Sequence, residues 1–314
     1  MPSWGEILNE INDLMHGMPD NQKGLAFHQV RTKYMKALAD SEGRDCIIYA
    51  TRWTSQDAPP FSVSINDEDI HAFMEALYGL KNNKLDLILH TGGGSAESAE
   101  AIISYLRRKY SHIRIIIPQA AMSAGTMMAC AGDIIVMGKQ SSIGPIDPQF
   151  LLQTPSGTQA VAAHAIIEQF EMAQKDCAEN PKNLNSWIPM LSQYGPALLV
   201  SCKNQIDFGR DLVKNWLSSY MFAGQTSTKP DDIASYLSNH GNFRTHAKHI
   251  SCSTALELGL KVFELERNQH LQDKILSVFH STMHIFGSTG TTKIIANHNG
   301  NCYMKQMNIQ PIRR

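Results

Sequence analysis

No stretch of this sequence reaches the run of about 18 apolar residues that a membrane-spanning helix needs, so no spanning segment is expected. Net charge is nearly absent as well. The chain has 28 Lys and Arg against 29 Asp and Glu, a formal −1, which removes the electrostatic case for nucleic acid or an anionic membrane as the main partner. The basic cluster Arg107-Arg108-Lys109 falls on the polar side of a predicted helix and reads as a solvated face. The six cysteines (Cys46, Cys130, Cys177, Cys202, Cys252, Cys302) stand singly, with neither a CxxC pair nor zinc-ribbon spacing. Reduced thiols in a cytoplasmic protein are the expectation. The amino terminus lacks the basic-then-apolar pattern of a secretory leader, which points to the same compartment. Neither GxGxxG nor GxxxxGK[ST] occurs, so no dinucleotide or nucleoside-triphosphate cofactor is expected, and any ATP dependence requires a separate ATPase partner. HExxH is missing too. The pairs His246/His249 and His280/His284 therefore read as core or surface histidines, and no metal is expected.

What the sequence does have is a 43% hydrophobic, 18% charged composition over 314 residues, enough for a large core. Residues 3–40 read as two helices, with Trp4, Ile7, Leu8, Ile11, Leu14 and Met15 forming one apolar stripe. Opposite it lie Glu6, Glu10 and Asp13, so packing or self-association is expected of that stripe rather than membrane contact. Strands are predicted at 46–51, 85–89, 113–117 and 134–137, and helices at 67–78, 95–110 and 121–131. Strand, helix, strand, helix, strand with short links predicts right-handed parallel βαβ crossovers. Beyond Pro148 the pattern turns helical, at 161–175, 198–218, from Pro230, and at 269–286, and residues 297–314 read as a polar tail. Three regions follow: a helical extension (1–42), a main α/β domain (43–265), and a terminal helix with its tail (266–314).

Two features sit at the carboxyl ends of consecutive predicted strands, where open α/β sheets place their sites. In His90-Thr91-Gly92-Gly93-Gly94-Ser95, successive glycines free the backbone to approach a ligand, and their N–H groups ahead of a helix make an anion-binding concavity. In Ala121-Met122-Ser123-Ala124-Gly125-Thr126, Ser123 falls on the first turn of a helix, where free N–H groups stabilise negative charge. The Ala124 N–H can pair with that of Gly93 to hold a tetrahedral oxyanion. Ser123 as a plain helix cap is the competing reading.

The segments TGGGSAESAEAI and AMSAGTMMACAGDIIVMGKQSSIGPIDPQ resemble the Clp-fold serine proteinases called serine dehydrogenase proteinases. So do MPSWGEILNEI, SINDEDIHAFMEALYGL, ELERNQHLQDKILSVFHSTMH and KIIANHNG, so the resemblance covers almost the whole chain. More distantly, the middle is similar to signal peptide peptidase A and ClpP. The resemblance implies a ClpP/crotonase-like spiral of parallel βαβ units with helical extensions at both ends. It also implies a serine peptidase, with Ser123 as nucleophile and the Gly93, Gly94 and Ala124 amides as oxyanion donors. A homo-oligomer acting on peptide or protein substrate is expected. Gly92 occupies the place where the family usually has proline, which is expected to loosen the loop.

A hydroxyl nucleophile needs a base. Signal peptide peptidase A uses a lysine on a downstream helix, and Lys175 in Ala173-Gln174-Lys175 resembles that element, which makes a Ser-Lys dyad the first expectation. His164, on the same predicted helix, is the alternative base, and Asp147 is either an orienter of the base or a turn former. Lys139 is a weaker candidate. The same resemblance implies that Gly144-Pro145 lines the groove that pairs with extended peptide. A crotonase-type thioester enzyme or an inactive scaffold is the alternative function.

Overall fold

A computed structural model of the chain describes residues 3–154 and 157–307. Its central sheet contains five parallel strands: β1 (Asp45–Thr51), β2 (Lys84–His90), β3 (His112–Ile117), β5 (Ile134–Met137) and β10 (Val262–Glu264). A carboxy-terminal hairpin, β11 (Thr291–Asn297) and β12 (Cys302–Gln306), joins it antiparallel, giving the order β10-β5-β3-β2-β1-β11-β12. Two small sheets complete the set: β4 (Ala120–Ala121), β6 (Ser142–Ile143) and β9 (Ile250–Ser251), and the hairpin β7 (Gln149–Thr154) with β8 (Gly157–Ala162).

β1 is apolar on both sides because helices cover both faces of the sheet. Ile47, Tyr49, Leu87 and Ile115 face one buried layer with the helices Asp69–Leu77, Ala96–Lys109, Ala124–Cys130 and Leu198–Ser219. Cys46, Ile48, Ile88 and Ile116 face the other, against the helices Trp4–His16, Gly24–Glu42 and Gln269–Ser288. The architecture is mixed α/β with a mostly parallel central sheet, as the predicted crossovers imply.

The apolar stripe of the first helix is partly used inside the chain: Ile7 and Ile11 are fully buried and the Trp4 ring lies against His280 and His284, while Trp4 and Leu14 remain exposed. The polar tail is a correction. Residues 291–306 are two paired strands, and β11 is buried along its whole length against β1. Its polar residues are satisfied within the core, as when Asn297 Nδ2 donates to the Ala76 carbonyl at 2.8 Å, so polarity there does not signal exposure. Residues 308–314 of that expected tail lie outside the described residues. Past Pro148 the helix expected at 161–175 is preceded by the β7–β8 hairpin and runs Ala163–Glu179.

Candidate active site

β2 ends at His90, and the chain enters the glycine loop through Thr91, which bridges to β4: Thr91 N–H donates to the Ala120 carbonyl and Met122 N–H to that of Thr91. The two predicted features are thus tied together by the backbone. Gly93 adopts φ +103° and Gly94 φ +154°, conformations costly for residues with a Cβ. At Gly93 a Cβ would lie 2.7 Å from both Ser123 Cβ and the Met122 carbonyl oxygen, so only glycine lets the loop approach this serine.

The helix expected at 121–131 starts at Ala124, with Ala121 in β4. Ser123 occupies the junction at φ 53°, ψ −121°, in a region sparsely populated by non-glycine residues. Its side chain makes no capping bond, so the simple cap reading does not describe it. A sharp strand-to-helix turn presents the hydroxyl outward, and backbone strain of this kind concentrates at functional sites. Thr126 braces the turn from beneath: its Oγ1 donates to the Ala121 carbonyl and accepts from Gly144 N–H, both at 2.8 Å.

Gly92 sits beside Trp53, where a Cβ would lie 3.1 Å from the indole, and on the far side Ile65 N–H donates to the Gly93 carbonyl at 2.8 Å. Gly93 N–H is held by Thr91 Oγ1 at 3.1 Å, whereas Ala124 N–H belongs to the helix's first turn, which has no intrahelical acceptor.

Ser123, Gly92–Gly94 and Ala124 open onto a cleft of about 790 Å³ that is also lined by Trp53, Asp147 and His246. Asp147 is buried, and three groups donate to it: His240 Nδ1 at 2.9 Å, His246 Nδ1 at 2.8 Å and Gln149 Nε2 at 3.0 Å. Burial alone would raise its pKa, but hydrogen bonds and charge from His246 and His240 hold it below the usual carboxylate range. His164 stacks on His240 at 6.4 Å between centroids, and burial lowers its pKa, with Asp147 opposing and His240 adding to the fall. The aspartate expected as orienter or turn former is therefore the hub of a histidine cluster.

The remaining expected residues fall elsewhere. Lys175 is exposed on the helix Ala163–Glu179, and it does not line the cleft. Lys139 is exposed, with its backbone N–H bonded to Glu266. Gly144 and Pro145 are buried beneath the site, and the cleft wall begins at the next residue, along Ile146–Leu151. His246, weighed in the sequence only as a metal-ligand partner of His249, lies in a turn, and His249 faces Ser142 Oγ at 2.7 Å. Among the described residues no three or more His, Cys, Asp or Glu side chains are arranged so that they could hold a metal ion. The sequence signal that His246 offered was weak: a lone histidine far along the chain from Ser123, brought in by the fold.

Residues 30–179, just under half of the chain, match the family described as ClpP-like SDH-type serine proteinase. Those residues include the glycine loop, Ser123 and Asp147, and the match supports a serine peptidase. Among curated proteins, two uncharacterised proteins of Methanocaldococcus jannaschii are similar: one 38% identical over 117 residues (37% of this chain, 38% of that protein), the other 45% identical over 65 residues (21% and 22%). The chain spans well under half the length of these relatives. Among solved structures, a membrane-bound stomatin-specific protease is similar at 16% identity and a TM-score of 0.39, covering 79% of this chain and 90% of that one. Another structure of that protease, a mutant in complex with a substrate peptide, covers 63% and 70% at the same identity and TM-score.

Proposed function

We propose that this chain hydrolyses peptide bonds through an acyl-enzyme on Ser123, with His246 as the general base and Asp147 as its orienter. The observation that carries the reading is a single cleft lined by Ser123, the glycine loop and the Asp147–His246 pair. With Nδ1 donating to Asp147, His246 is fixed as the tautomer whose Nε2 is free to accept a proton. Its role is to take the Ser123 proton during attack and return it to the leaving amine; water then attacks the ester with the same base. Developing negative charge falls to the Ala124 N–H and the Gly93-Gly94 amides. An oxyanion there competes with Thr91 Oγ1 for the Gly93 N–H, and a charged acceptor forms the stronger bond. Neither Lys175 nor His164 lines the cleft, and His164 stacks on His240; both remain as rival bases in the test. The proposal includes a peptide or protein substrate and a cytoplasmic homo-oligomer, with or without a separate ATPase, in which the exposed side chains Met172, Leu184, Ile188 and Val200 offer apolar contact area.

A fluorophosphonate probe tests the reading directly. Labelling is expected in the wild type, absent in Ser123→Ala, and strongly slowed in His246→Ala. Absence of labelling in folded wild-type protein removes the peptidase reading, and slowing in Lys175→Ala rather than His246→Ala reassigns the base.

A further inference from the structure

The glycine loop takes its position from a neighbouring segment. Ile65 N–H donates to the Gly93 carbonyl at 2.8 Å, and Ser95 N–H donates to the Ile65 carbonyl at 2.9 Å. At Gly94 the approach is so close that a Cβ would meet Ile65 N at 2.4 Å and its carbonyl oxygen at 2.3 Å. Where Ile65 goes, the loop goes.

Ile65 is itself held from the carboxy-terminal hairpin. Lys293, on β11, is fully buried, and its Nζ donates to the Ser64 carbonyl at 2.8 Å and to Asp69 Oδ1 at 2.5 Å. Asp69 is the first residue of its helix, and its Oδ2 accepts from Tyr49 Oη at 2.8 Å and from Asn66 N–H at 3.2 Å. The Tyr49 ring lies 5.7 Å from the same ammonium. One ion pair thus grips both ends of the 64–69 turn and fastens it to β1 and β11. Burying two charges gains little stability over apolar residues of similar size, so stability alone is a poor account of the pair. Specifying one position for a backbone segment is a better one.

We propose that Lys293 is a positioning residue for the oxyanion loop: by holding the Ser64 carbonyl and Asp69 it fixes Ile65, and through Ile65 the Gly93 and Gly94 amides opposite Ser123. The kinetic consequence rests on the function proposed above, whereas the anchoring itself does not.

The test uses the full chain and the double variant Lys293→Met/Asp69→Asn, which removes both charges while leaving an acceptor for Tyr49. Amide hydrogen exchange, thermal midpoint and peptide hydrolysis are measured together. The expected result is a thermal midpoint close to wild type, with exchange at the Ile65 and Ser95 amides selectively faster by about ten-fold or more. On peptide, kcat falls on the order of 10²-fold while KM stays within about two-fold, the pattern of a lost transition-state interaction. If the double variant does not fold, Tyr49→Phe, which deletes one hydroxyl, must show the same selective acceleration on a smaller scale. Unchanged protection at Ile65 and Ser95 in a folded variant, or an even acceleration across the chain, overturns the proposal. Selective exchange in a protein that fluorophosphonate never labels leaves the anchor standing and removes the peptidase reading instead.

Discussion

Gly93 and Ser123 are in backbone-level contact: a methyl group on Gly93 would lie 2.7 Å from the Ser123 Cβ. The loop and the serine therefore form one surface, with no room for a side chain between them. Gly93→Ala is expected to push the loop off Ser123, both by this clash and because φ +103° disfavours any Cβ. Turnover on peptide should fall on the order of 10²–10³-fold, the cost of a misplaced oxyanion donor. Gly92→Ala meets only the Trp53 ring edge and should cost less. Steady-state kinetics on the two variants, with circular dichroism to confirm folding, checks the ordering.

The positive φ of Ser123 makes a prediction about stability rather than rate. Both Ser123→Ala and Ser123→Gly remove the hydroxyl, but only glycine relieves the strain at φ 53°, ψ −121°. Such strain costs on the order of 1–3 kcal/mol, against about 0.5–1 kcal/mol of added chain entropy for glycine. The glycine variant should be the more stable by about 1 kcal/mol, as read from urea unfolding, with neither variant active. An alanine variant more stable than the glycine one contradicts a strained elbow.

Asp147→Asn keeps the size of the hub and removes its charge. Nδ1 of His246 then no longer faces a carboxylate, and the tautomer with a free Nε2 loses its advantage. By analogy with orienter loss in other triads, kcat/KM should drop about 10³–10⁴-fold. Because the wild-type carboxyl is held below the usual range, it stays ionised through mild acid, so its own protonation should not limit kcat/KM there. A profile of kcat/KM from pH 4 to 9 tests both points.

One buried histidine, His90, and one half-buried histidine, His28, make stability depend on pH. Burial lowers His90 from 6.5 to about 4, and burial together with the Arg31 charge lowers His28 to about 4. Both are neutral in the folded chain at pH 5, where an unfolded histidine is protonated. Unfolding there takes up protons, so stability is complete above about pH 6.5 and declines as pH falls towards 4. The midpoint of urea unfolding should fall over that window, and His90→Phe should flatten the slope by up to one proton. An equal slope in that variant rules His90 out as a contributor.

Deleting residues 289–314 is expected to abolish cooperative folding. The cut removes β11, which is buried throughout, and with it Lys293 and Asn297, leaving Asp69 as an unpaired buried charge. Chymotrypsin susceptibility and a lost thermal transition report the outcome. A truncated chain that unfolds cooperatively near the wild-type midpoint overturns the view that this hairpin completes the core.

That hairpin shows where the sequence is misleading. Asn297 and the residues after it read as a polar tail because each polar side chain alone disfavours burial, and the partners of Asn297 and Lys293 in this hairpin, Ala76, Ser64 and Asp69, are more than 200 positions away. The strands β1, β2, β3 and β5 were legible because buried parallel strands are short apolar runs between turn residues. The loop 92–94 and Ser123 were legible because each follows such a strand directly.

The sequence alone therefore determined the parallel crossover core, the glycine turn and the serine beside it. All of these follow from periodicity and from residues a few positions apart. Tertiary structure decided which groups share a cleft with that serine. It carried His246 and Asp147 into the cleft, left Lys175 on an exposed helix face, and brought Lys293 under the segment that carries the loop. Local pattern sets the backbone, but a proton acceptor or an anchor is chosen by distance in space, and spacing along the chain does not encode that distance.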